Sequence, residues 1–314
     1  MHNGFIVTDS MRNNKQYDGK TLKFGITDNN DDYIVKLPKD TISSLYSEHV
    51  ASRFIRNLGI DCHETWLGYY NKQPVVILKD FTTKEDKLRS FASTGQSSED
   101  TTLEGKKYTY KDVTYLIKNN NKFSSVDKQN MMTMFWDMFI CDAILGNRDR
   151  HKGNWGYMQN ENKFRPAPLY DNGASLFPDV ETRMHEYVEH IKNNTEYRFI
   201  YERSEKFPAS LFQVEYDNGK CKRTNYYEIL SDLRISPILA KEVKILRNKK
   251  GFTQVYEAIT RSVLSANNII PYEYKRFYIL ITCTRYLHLI ERKSIKESYL
   301  IAYRRLMNET RTIL

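Results

Sequence analysis

The chain has 314 residues and a formal net charge of +9, and 40% of its residues are hydrophobic. This length suits one large domain or two modest ones, and the hydrophobic fraction is sufficient for a buried core, so wholesale disorder is excluded. Glycine and proline are scarce, at 13 and 8 residues, which excludes collagen-like and low-complexity architectures.

Positive charge exceeds negative charge, because Lys and Arg number 48 and Asp and Glu number 39. Such an excess favours polyanionic partners: nucleic acid, an anionic membrane surface or phosphorylated ligands. The basic clusters at 106–107, 247–250 and 304–305 are scattered along the chain, so an excess spread over solvated faces also explains the composition. Charge alone therefore selects no partner.

The sequence shows no targeting feature. No run of about 18 apolar residues is present, so no transmembrane helix is expected, and residues 1–30 lack the basic start and apolar centre of a cleaved signal peptide. The four cysteines lie far apart without a CxxC pair, which argues against a zinc knuckle or a disulfide framework and suits a reducing compartment. These intrinsic features predict a cytoplasmic location.

Residues 1–82 are predicted to form a small antiparallel β-sheet that carries one helix. Four short segments rich in Val, Ile, Leu and aromatic residues indicate strands. They are 5–8, 22–26, 33–37 and 74–78. The Asn- and Asp-rich run 29–32 suits a turn between two of them. Residues 41–58 place apolar side chains on neighbouring faces and precede Gly59, a pattern that predicts a helix.

Residues 83–314 are predicted to form a larger, mainly helical lobe. A long amphipathic helix is expected over 124–145, with Ser124 and Asp127 as its capping pair. A hairpin is expected around the Asp-Asn-Gly at 217–219, and the last part of the chain is expected to be helical to its end. The fold class is therefore α+β, with a β-rich lobe followed by a helical one.

The polar stretch 146–155, Gly-Asn-Arg-Asp-Arg-His-Lys-Gly-Asn-Trp, directly follows the long predicted helix and breaks it. Asp149 and Asn154 are close enough in this loop to be aimed into one cleft. A short apolar run then ends at Asp171-Asn172-Gly173. The set offers a carboxylate able to accept a proton, together with an amide and a second carboxylate as the hard oxygen ligands that Mg²⁺ prefers. Phosphoryl transfer needs this arrangement, because its catalysis is mostly positioning and neutralisation of phosphate charge.

Taken singly, each of these residues has an ordinary explanation. A loop Asp is more often a turn former or a helix cap, His151 alone is more often a surface or hydrogen-bonded group, and Asp-Asn-Gly is a common turn. The ordered set is what favours phosphoryl transfer.

Lys36 and Glu48 fit the same chemistry. Lys36 is the single cation of an apolar strand, and Glu48 precedes Ala51 and Ile55 at helical spacing, which places it on their apolar face. An inward carboxylate needs a partner, because burying an unpaired charge costs several kcal/mol. We therefore expect a Lys36–Glu48 pair that holds nucleotide phosphates. The alternative places Lys36 on an edge strand and Glu48 on a helix flank.

The motif Asp149-Arg-His151-Lys-Gly-Asn154, followed by Asp171-Asn-Gly, resembles the catalytic and metal-binding loops of HipA-like serine/threonine kinases and of phosphatidylinositol 3/4-kinases. The sequence Tyr-Asp-Asn-Gly-Ala-Ser-Leu at 170–176 is similar to the HipA-like side. The resemblance implies a bilobal protein-kinase-like fold, in which a small antiparallel lobe contacts the nucleotide and a larger helical lobe carries the catalytic loop.

This resemblance spans about residues 20–177 of the chain. It implies a nucleotide-binding N-lobe at 1–82 and a C-lobe at 83–314 that holds the catalytic loop, the metal site and the helical core.

The resemblance also implies roles for individual residues. Asp149 would accept or orient the proton of the acceptor hydroxyl, and His151 would approach the transferred phosphoryl group. Asn154, a member of the catalytic loop, and Asp171 would hold Mg²⁺. Lys36 would contact the α- and β-phosphates of ATP.

Further contacts to the nucleotide follow from the same resemblance. Glu48 would lock Lys36 in place. Residues 75–80, which include Ile77 and Lys79, would form the hinge whose backbone groups meet adenine.

The chain departs from the kinase pattern in its phosphate loop. No GxGxxG is present, and the only candidate is 16–21, in which Gly19 would allow close backbone approach beside Lys20. Asn172 stands where typical protein kinases have Phe, so their packing switch is not assumed. The N-terminus is also too short for the extra module of HipA itself, which puts an antitoxin partner in doubt.

The leading hypothesis is an ATP- and Mg²⁺-dependent kinase that acts on Ser or Thr of proteins, including itself. Ser93, Thr94, Ser97 and Ser98 lie in a polar segment and are candidate self-targets. A lipid or small-molecule kinase is the alternative, because the His151 motif is shared with lipid kinases and a basic surface suits anionic head groups. A third hypothesis is a non-catalytic basic binding module, although no helix-turn-helix or aromatic RNA platform is visible.

Two predictions of cellular location follow. The intrinsic features favour a cytoplasm, and only the family resemblance suggests secretion without a cleaved signal peptide and action in a host cell.

Overall fold

The computed structural model describes residues 1–17, 22–38, 41–93, 109–206, 209–215 and 221–313. The strands in these ranges are β1 Phe5–Val7, β2 Lys23–Asp28, β3 Asp31–Lys36, β4 Thr65–Tyr70, β5 Gln73–Lys79, β6 Lys87–Ser90, β7 Gly156–Asn160, β8 Lys163–Pro166, β9 Ala209–Glu215 and β10 Cys221–Asn225. The α-helices are α1 Ser43–Asn57, α2 Tyr110–Asn119, α3 Ser125–Leu145, α4 Met184–Lys192, α5 Glu196–Lys206, α6 Tyr226–Ser231, α7 Pro237–Ile245, α8 Gly251–Ser265, α9 Tyr272–Leu289 and α10 Ile295–Ile313.

The N-terminal part is a five-stranded sheet in the order β1-β4-β5-β3-β2. The pairs β2–β3, β3–β5 and β4–β5 are antiparallel, as the sequence predicts. The edge pair β1–β4 is parallel, with Phe5 opposite Gly68, so the expectation of a wholly antiparallel sheet was wrong for β1. The chain between β1 and β4 includes two strands and a helix, and this long connection allows parallel pairing.

The two faces of the sheet bury different side chains. Val35 and Ile77 are direct partners across β3 and β5, and both belong to a small apolar cluster on one face. Val76 and Leu78 belong to the main core on the other face, together with α1. Because successive side chains alternate between faces, Lys36 lies on the face that carries α1. The sheet therefore presents Lys36 to that helix.

Helix α1 is buried on several sides. Leu45, Val50 and Phe54 are fully or almost fully buried in the main core, which continues into the long helices α3 and α9. Polar side chains of the same helix, among them Glu48 and Ser52, are buried as well. A buried polar group is expected to have a hydrogen-bond partner, so α1 is the element on which a polar site can be built.

Helix α3 has the boundaries and the cap that the sequence predicts. Ser124 N donates to Asp127 Oδ2 at 2.9 Å, and Asp127 N donates to Ser124 Oγ at 3.1 Å. The helix ends at Gly146, whose φ is +68°. A Cβ at this position would lie 2.7 Å from the ring of Phe177, so both the left-handed backbone and the close ring require glycine. The loop that follows is thereby given a fixed exit direction.

Several elements were not predicted. The strand β4 was missed, as were the three-stranded sheet β6-β7-β8 and the helices α2, α4, α5 and α6. The expected hairpin exists as the antiparallel pair β9–β10, while residues 217–219 lie outside the described residues. No helix in the described part of the chain is long and apolar enough to cross a membrane.

Candidate active site

Lys36 joins two carboxylates that come from distant parts of the chain. Its Nζ lies 3.0 Å from Glu48 Oε2 on α1 and 3.0 Å from Asp171 Oδ1 in the loop after β8. Burial alone would lower the pKa of Lys36, but the two carboxylates outweigh burial and raise it. The lysine is therefore a permanent cation at the junction of the sheet, α1 and this loop.

Glu48 is held from several directions at once. Its Oε1 accepts a hydrogen bond of 2.8 Å from Asn172 N and lies 3.1 Å from His63 Nε2. Burial would raise the pKa of Glu48, but Lys36 and His63 overcome that effect, so the pKa is lowered. A Cβ at Gly173 would lie 3.1 Å from Glu48 Oε2, which shows how closely the loop approaches the helix.

The titration of Glu48 predicts a specific loss of stability in acid. A carboxyl whose pKa is lowered in the folded state stabilises it fully above its ordinary value of 4.5, and that contribution disappears as the pH falls below this value. Glu48→Gln should lower the free energy of unfolding by about 3 kcal/mol at pH 7. Below pH 4.5, the difference in the free energy of unfolding between this variant and the wild type should become smaller. Urea unfolding from pH 3 to pH 7 measures both curves.

Glu297→Gln is the matched control for this comparison, because Glu297 is half exposed in a surface pair with Lys293. A surface pair contributes about 0–1 kcal/mol, so this control should follow the wild-type curve. A difference between wild type and Glu48→Gln that stays constant with pH would contradict the assignment of a low pKa to Glu48.

Asp171 adopts a left-handed backbone, with φ of 58°. Non-glycine residues in this region are uncommon, and they cluster at functional sites, where surrounding contacts hold them. The flanking contacts here are Tyr170 O, which accepts from Arg150 Nη1 at 2.6 Å, and the amide of Asn172 on Glu48. The Asp171 side chain itself is 46% exposed, so one carboxylate oxygen faces Lys36 while the group remains accessible to a ligand.

The loop after α3 is wound onto its own backbone. Asp149 O accepts from His151 N at 2.8 Å and from Asn154 Nδ2 at 2.9 Å. Asp149 N in turn donates to Asn147 Oδ1 at 3.0 Å. The side chains of Asp149 and His151 are exposed, so the loop buries its polar backbone and presents these two groups to solvent.

The ring of His151 is oriented by the same loop. Gly153 N donates to His151 Nδ1 at 3.0 Å. A ring nitrogen that accepts a hydrogen bond carries no proton, so a neutral His151 keeps its proton on Nε2. The exposed Nε2–H is then a donor available to an anionic group.

Arg150 is the buried support of both loops. Its guanidinium forms a two-point contact with Asp142 of α3, at 2.9 and 3.1 Å, and both residues are 1% exposed. The same guanidinium donates to Asn154 O and to Tyr170 O. Burial raises the pKa of Asp142, and Arg150 opposes that rise. One side chain therefore ties the Asp149 loop and the Asp171 loop to α3.

Asn172 links these loops to α1. Its Oδ1 accepts from Arg150 Nη2, and its Nδ2 donates to Ser52 Oγ at 3.0 Å. Its backbone N–H is the donor to Glu48. The fully buried side-chain amide of Asn172 thus makes hydrogen bonds at the position where the kinase pattern has Phe. These polar contacts couple the position of α1 to the two loops.

Asn154 and Asp171 provide a ligand set that fits Mg²⁺. Asn154 uses its amide N–H on Asp149 O, which leaves its amide oxygen for a ligand, and Asp171 is an accessible carboxylate. Both are the hard oxygen donors that Mg²⁺ takes, usually with waters and substrate phosphates completing its shell. Within the described residues, no group of three or more His, Cys, Asp or Glu could hold a metal by itself. Asn154 and Asp171 therefore suit a metal ion whose remaining ligands are the phosphates of a bound nucleotide.

The nucleotide contacts in β5 are predicted for Ile77 and Lys79. Ile77 and Lys79 point to the face of the sheet opposite Lys36, and Lys79 Nζ lies 3.1 Å from Asp31. The amides of Lys79 and Asp80 already donate to backbone oxygens of the sheet. Their side chains are thus remote from the Lys36 cluster, and the adenine contacts of this hinge stay a prediction.

The remaining predicted residues fall at the edges of the described chain. Gly19 and Lys20, with their phosphate loop, lie outside the described residues, and so do Thr94, Ser97 and Ser98. Ser93 is described: it is exposed, and its Oγ donates to Ser90 O at 2.6 Å.

Sequence reasoning missed the buried polar residues of the site: Asp142, Arg150, His63, Ser52 and the side chain of Asn172. A carboxylate within the apolar end of α3 could have pointed to Asp142, since it needs a partner there. No local pattern marks His63, which lies in the connection between α1 and β4.

Three comparisons with known proteins show what this chain is similar to. A family model described as the HipA-like C-terminal domain matches residues 12–232. The serine/threonine-protein kinase CtkA of Helicobacter pylori is 32% identical over 219 residues, which are 67% of this chain and 64% of that protein. The match thus spans less than two thirds of the length of this relative.

Solved structures extend the similarity. The crystal structure of a Helicobacter pylori proinflammatory kinase CtkA matches with a TM-score of 0.75 and 26% identity, covering 96% of this chain and 98% of that one. HipA of Shewanella oneidensis MR-1, in its complex with HipB and operator DNA, matches with a TM-score of 0.52 and 14% identity over 92% of this chain and 70% of that one. The second similarity concerns the fold alone.

Proposed function

The chain belongs to the HipA-like C-terminal domain family, and from that premise we propose that it is an ATP- and Mg²⁺-dependent kinase that phosphorylates Ser or Thr hydroxyls of proteins. One observation carries the proposal: the sheet, α1 and the loop after β8 bring Lys36, Glu48 and Asp171 together, with both carboxylates 3.0 Å from the same ammonium group. This arrangement holds a cation between a fixed helix and an accessible metal-binding carboxylate. A purely structural ion pair needs no accessible carboxylate.

Lys36 is the residue that binds the phosphates of ATP. Its positive charge is maintained by Glu48, and Asp171 is the exchangeable partner because it is much more exposed than Glu48. When ATP enters, Lys36 turns from Asp171 to phosphate oxygens while Glu48 keeps it in place. Charge-assisted contacts of this kind are roughly twice as strong as neutral hydrogen bonds.

Asp149 acts on the acceptor. In the transfer, the hydroxyl oxygen of the acceptor forms a bond to the γ-phosphorus, the bond from that phosphorus to the β–γ bridging oxygen breaks, and ADP leaves. Asp149 accepts the hydroxyl proton, and its exposed carboxylate at the rim of the loop is reachable by a protein chain. His151 donates its Nε2–H to an oxygen of the transferred group and so stabilises the charge there.

Asn154 and Asp171 would hold Mg²⁺, which would supply neutralisation of phosphate charge when it is bound there. The chain contributes the positions of the two ligands: Arg150 fixes the backbone beside both of them, through Asn154 O and Tyr170 O.

Protein hydroxyls are the proposed acceptors, and those of the chain itself are included. Ser93 is exposed, which supports it as a target of autophosphorylation. A cytoplasmic site of action, or secretion into a host cell, stays a prediction.

The test is transfer from γ-³²P-ATP in the presence of Mg²⁺, with casein and phosphatidylinositol vesicles as alternative acceptors. We expect label on Ser or Thr of the protein and of casein, and its loss in EDTA. Label on the vesicles alone would replace the protein acceptor with a lipid. Bound ATP without transfer to either acceptor would overturn the proposal in favour of a non-catalytic module.

A further inference from the structure

A groove of about 670 Å³ lies between α2, α3 and the start of α7. Helix α2 lines it with Lys111, Thr114, Tyr115 and Lys118, which occupy one face because they are three or four residues apart. Helix α3 contributes a stripe with the same spacing, which begins at Ser125 and ends at Trp136. Two helical stripes therefore face a common open space.

The charge of this groove has one sign. Lys111 and Lys118 on α2 and Lys128 on α3 line it, and none of its described lining residues is acidic. Asp112 and Asp127 form the N-terminal capping boxes of these helices and do not line the groove. The charged side chains that line the groove are therefore all positive.

The floor of the groove is apolar. Met132 and Trp136 are 8% and 1% exposed and close it from below, and Ile238 of α7 lines its other side. At the rim, Tyr115 is 65% exposed. Tyrosine is one of the residue types enriched at protein interfaces, so Tyr115 adds a contact suited to a partner beside the apolar floor.

We propose that this groove docks an acidic segment of the protein substrate, in which Asp or Glu side chains flank apolar ones. Charge complementarity to three lysines selects the acidic residues, and the apolar floor selects the side chains between them. A nucleic acid suits the groove less well, because its lining rings are buried or isolated rather than arranged as a stacking platform. This proposal rests on the proposed function, since it concerns the substrate of the same kinase.

The position of the groove sets where the phosphorylated residue lies. Helix α3 connects the groove to the catalytic loop, and from Met132 to Gly146 it rises about 21 Å. An extended peptide covers about 3.3 Å per residue. The acceptor Ser or Thr is therefore about six or more residues away from the docked segment, and a short peptide that contains only the acceptor bypasses the groove.

Binding of a labelled peptide tests the groove without any phosphoryl transfer. The probe is a fluorescein-labelled peptide with four Glu around a Leu-Phe pair, and the comparison peptide carries Lys in place of Glu. We expect the wild type to bind the acidic peptide only, and Lys118→Glu with Lys128→Glu to weaken its binding about tenfold or more. The control with equal charge change is Lys296→Glu with Arg304→Glu on α10, where both residues are exposed.

Kinetics separates docking from chemistry. For casein, the groove variant should raise KM about tenfold with kcat unchanged, while transfer to a short Ser peptide stays at the wild-type rate. Tyr115→Ala should weaken acidic-peptide binding while the charge of the groove is retained.

Other outcomes overturn the docking proposal. The first is equal binding of the acidic peptide by the wild type and the groove variant. The second is that the wild type binds a single-stranded oligonucleotide more tightly than the acidic peptide. The third is that the wild type sediments as a dimer, and the groove variant loses that dimer but still binds the peptide. If the wild type transfers no phosphate at all, the proposed function fails, and the binding experiment still decides whether the groove takes an acidic segment.

Discussion

Asp171→Asn should reduce phosphoryl transfer by about a thousandfold or more, with little change in stability. The variant removes the anionic ligand of the proposed Mg²⁺ site, and a metal ion supplies several kcal/mol of charge stabilisation in such reactions, with about 1.4 kcal/mol for each factor of ten. Stability should hold, because the side chain is 46% exposed, asparagine tolerates the left-handed backbone, and Lys36 keeps Glu48. Single-turnover transfer from ATP, titrated with Mg²⁺, measures the effect.

Asp149→Asn is the companion variant, which distinguishes the proposed role of Asp149 as the proton acceptor from the proposed role of Asp171 in metal binding. It should lose about 10²- to 10⁴-fold in the transfer rate and retain the wild-type Mg²⁺ dependence of ATP binding. Asp171→Asn should instead require more Mg²⁺ for ATP binding. A wild-type rate and an unchanged Mg²⁺ titration in Asp171→Asn would remove Asp171 from the metal site.

Arg150→Met should destabilise the protein by about 3–5 kcal/mol, because it leaves Asp142 as a buried carboxylate without its cation. Asp142 is 1% exposed, and its other contact is a hydrogen bond from Asn147. Urea unfolding at pH 7 measures the loss. The surface pair Arg234–Asp232 supplies the control, since Arg234 is 91% exposed and Arg234→Met should cost less than about 1 kcal/mol.

The double variant Arg150→Met with Asp142→Leu distinguishes the role of the pair in stability from its role in the site. An apolar pair of similar volume often replaces a buried ion pair without loss of stability, so the part of the loss that comes from the unpaired carboxylate should return. The part that comes from the acceptors at Asn154, Tyr170 and Asn172 should remain. Transfer should not return, because the hydrogen bonds from Arg150 to Asn154 O and Tyr170 O remain absent. Recovery of both would show that Arg150 does not position the two loops.

Long periodic elements were predictable, and short ones were not. The helix expected over 41–58 is observed at Ser43–Asn57, and the one expected over 124–145 at Ser125–Leu145. Both have many apolar residues at helical spacing, and the second also has a capping box. Strand β6 pairs residues 87–90 with residues 156–159 of β7, and β7 pairs with β8. These short sequences contain no local pattern that indicates such pairing.

The candidate site shows the same division. The loop motifs at 149–154 and 170–176 were sufficient to predict the family and, by resemblance, the kinase-like fold, and both predictions are confirmed. The predicted Lys36–Glu48 ion pair is formed. The roles of these residues in catalysis and metal binding stay predictions that the variants above test.

The sequence by itself was sufficient to predict a β-rich N-terminal part, a mainly helical remainder and a set of candidate residues for phosphoryl transfer, because helical and strand periodicity and loop motifs are local properties of the chain. Only the tertiary structure decided which polar groups meet. Arg150 reaches Asp142 and Asn172, and Glu48 accepts from an amide 124 positions away in the chain. The register of β3 and β5 likewise placed Ile77 on the face away from Lys36. Burial obliges each polar group to have a partner, but packing between distant elements selects that partner.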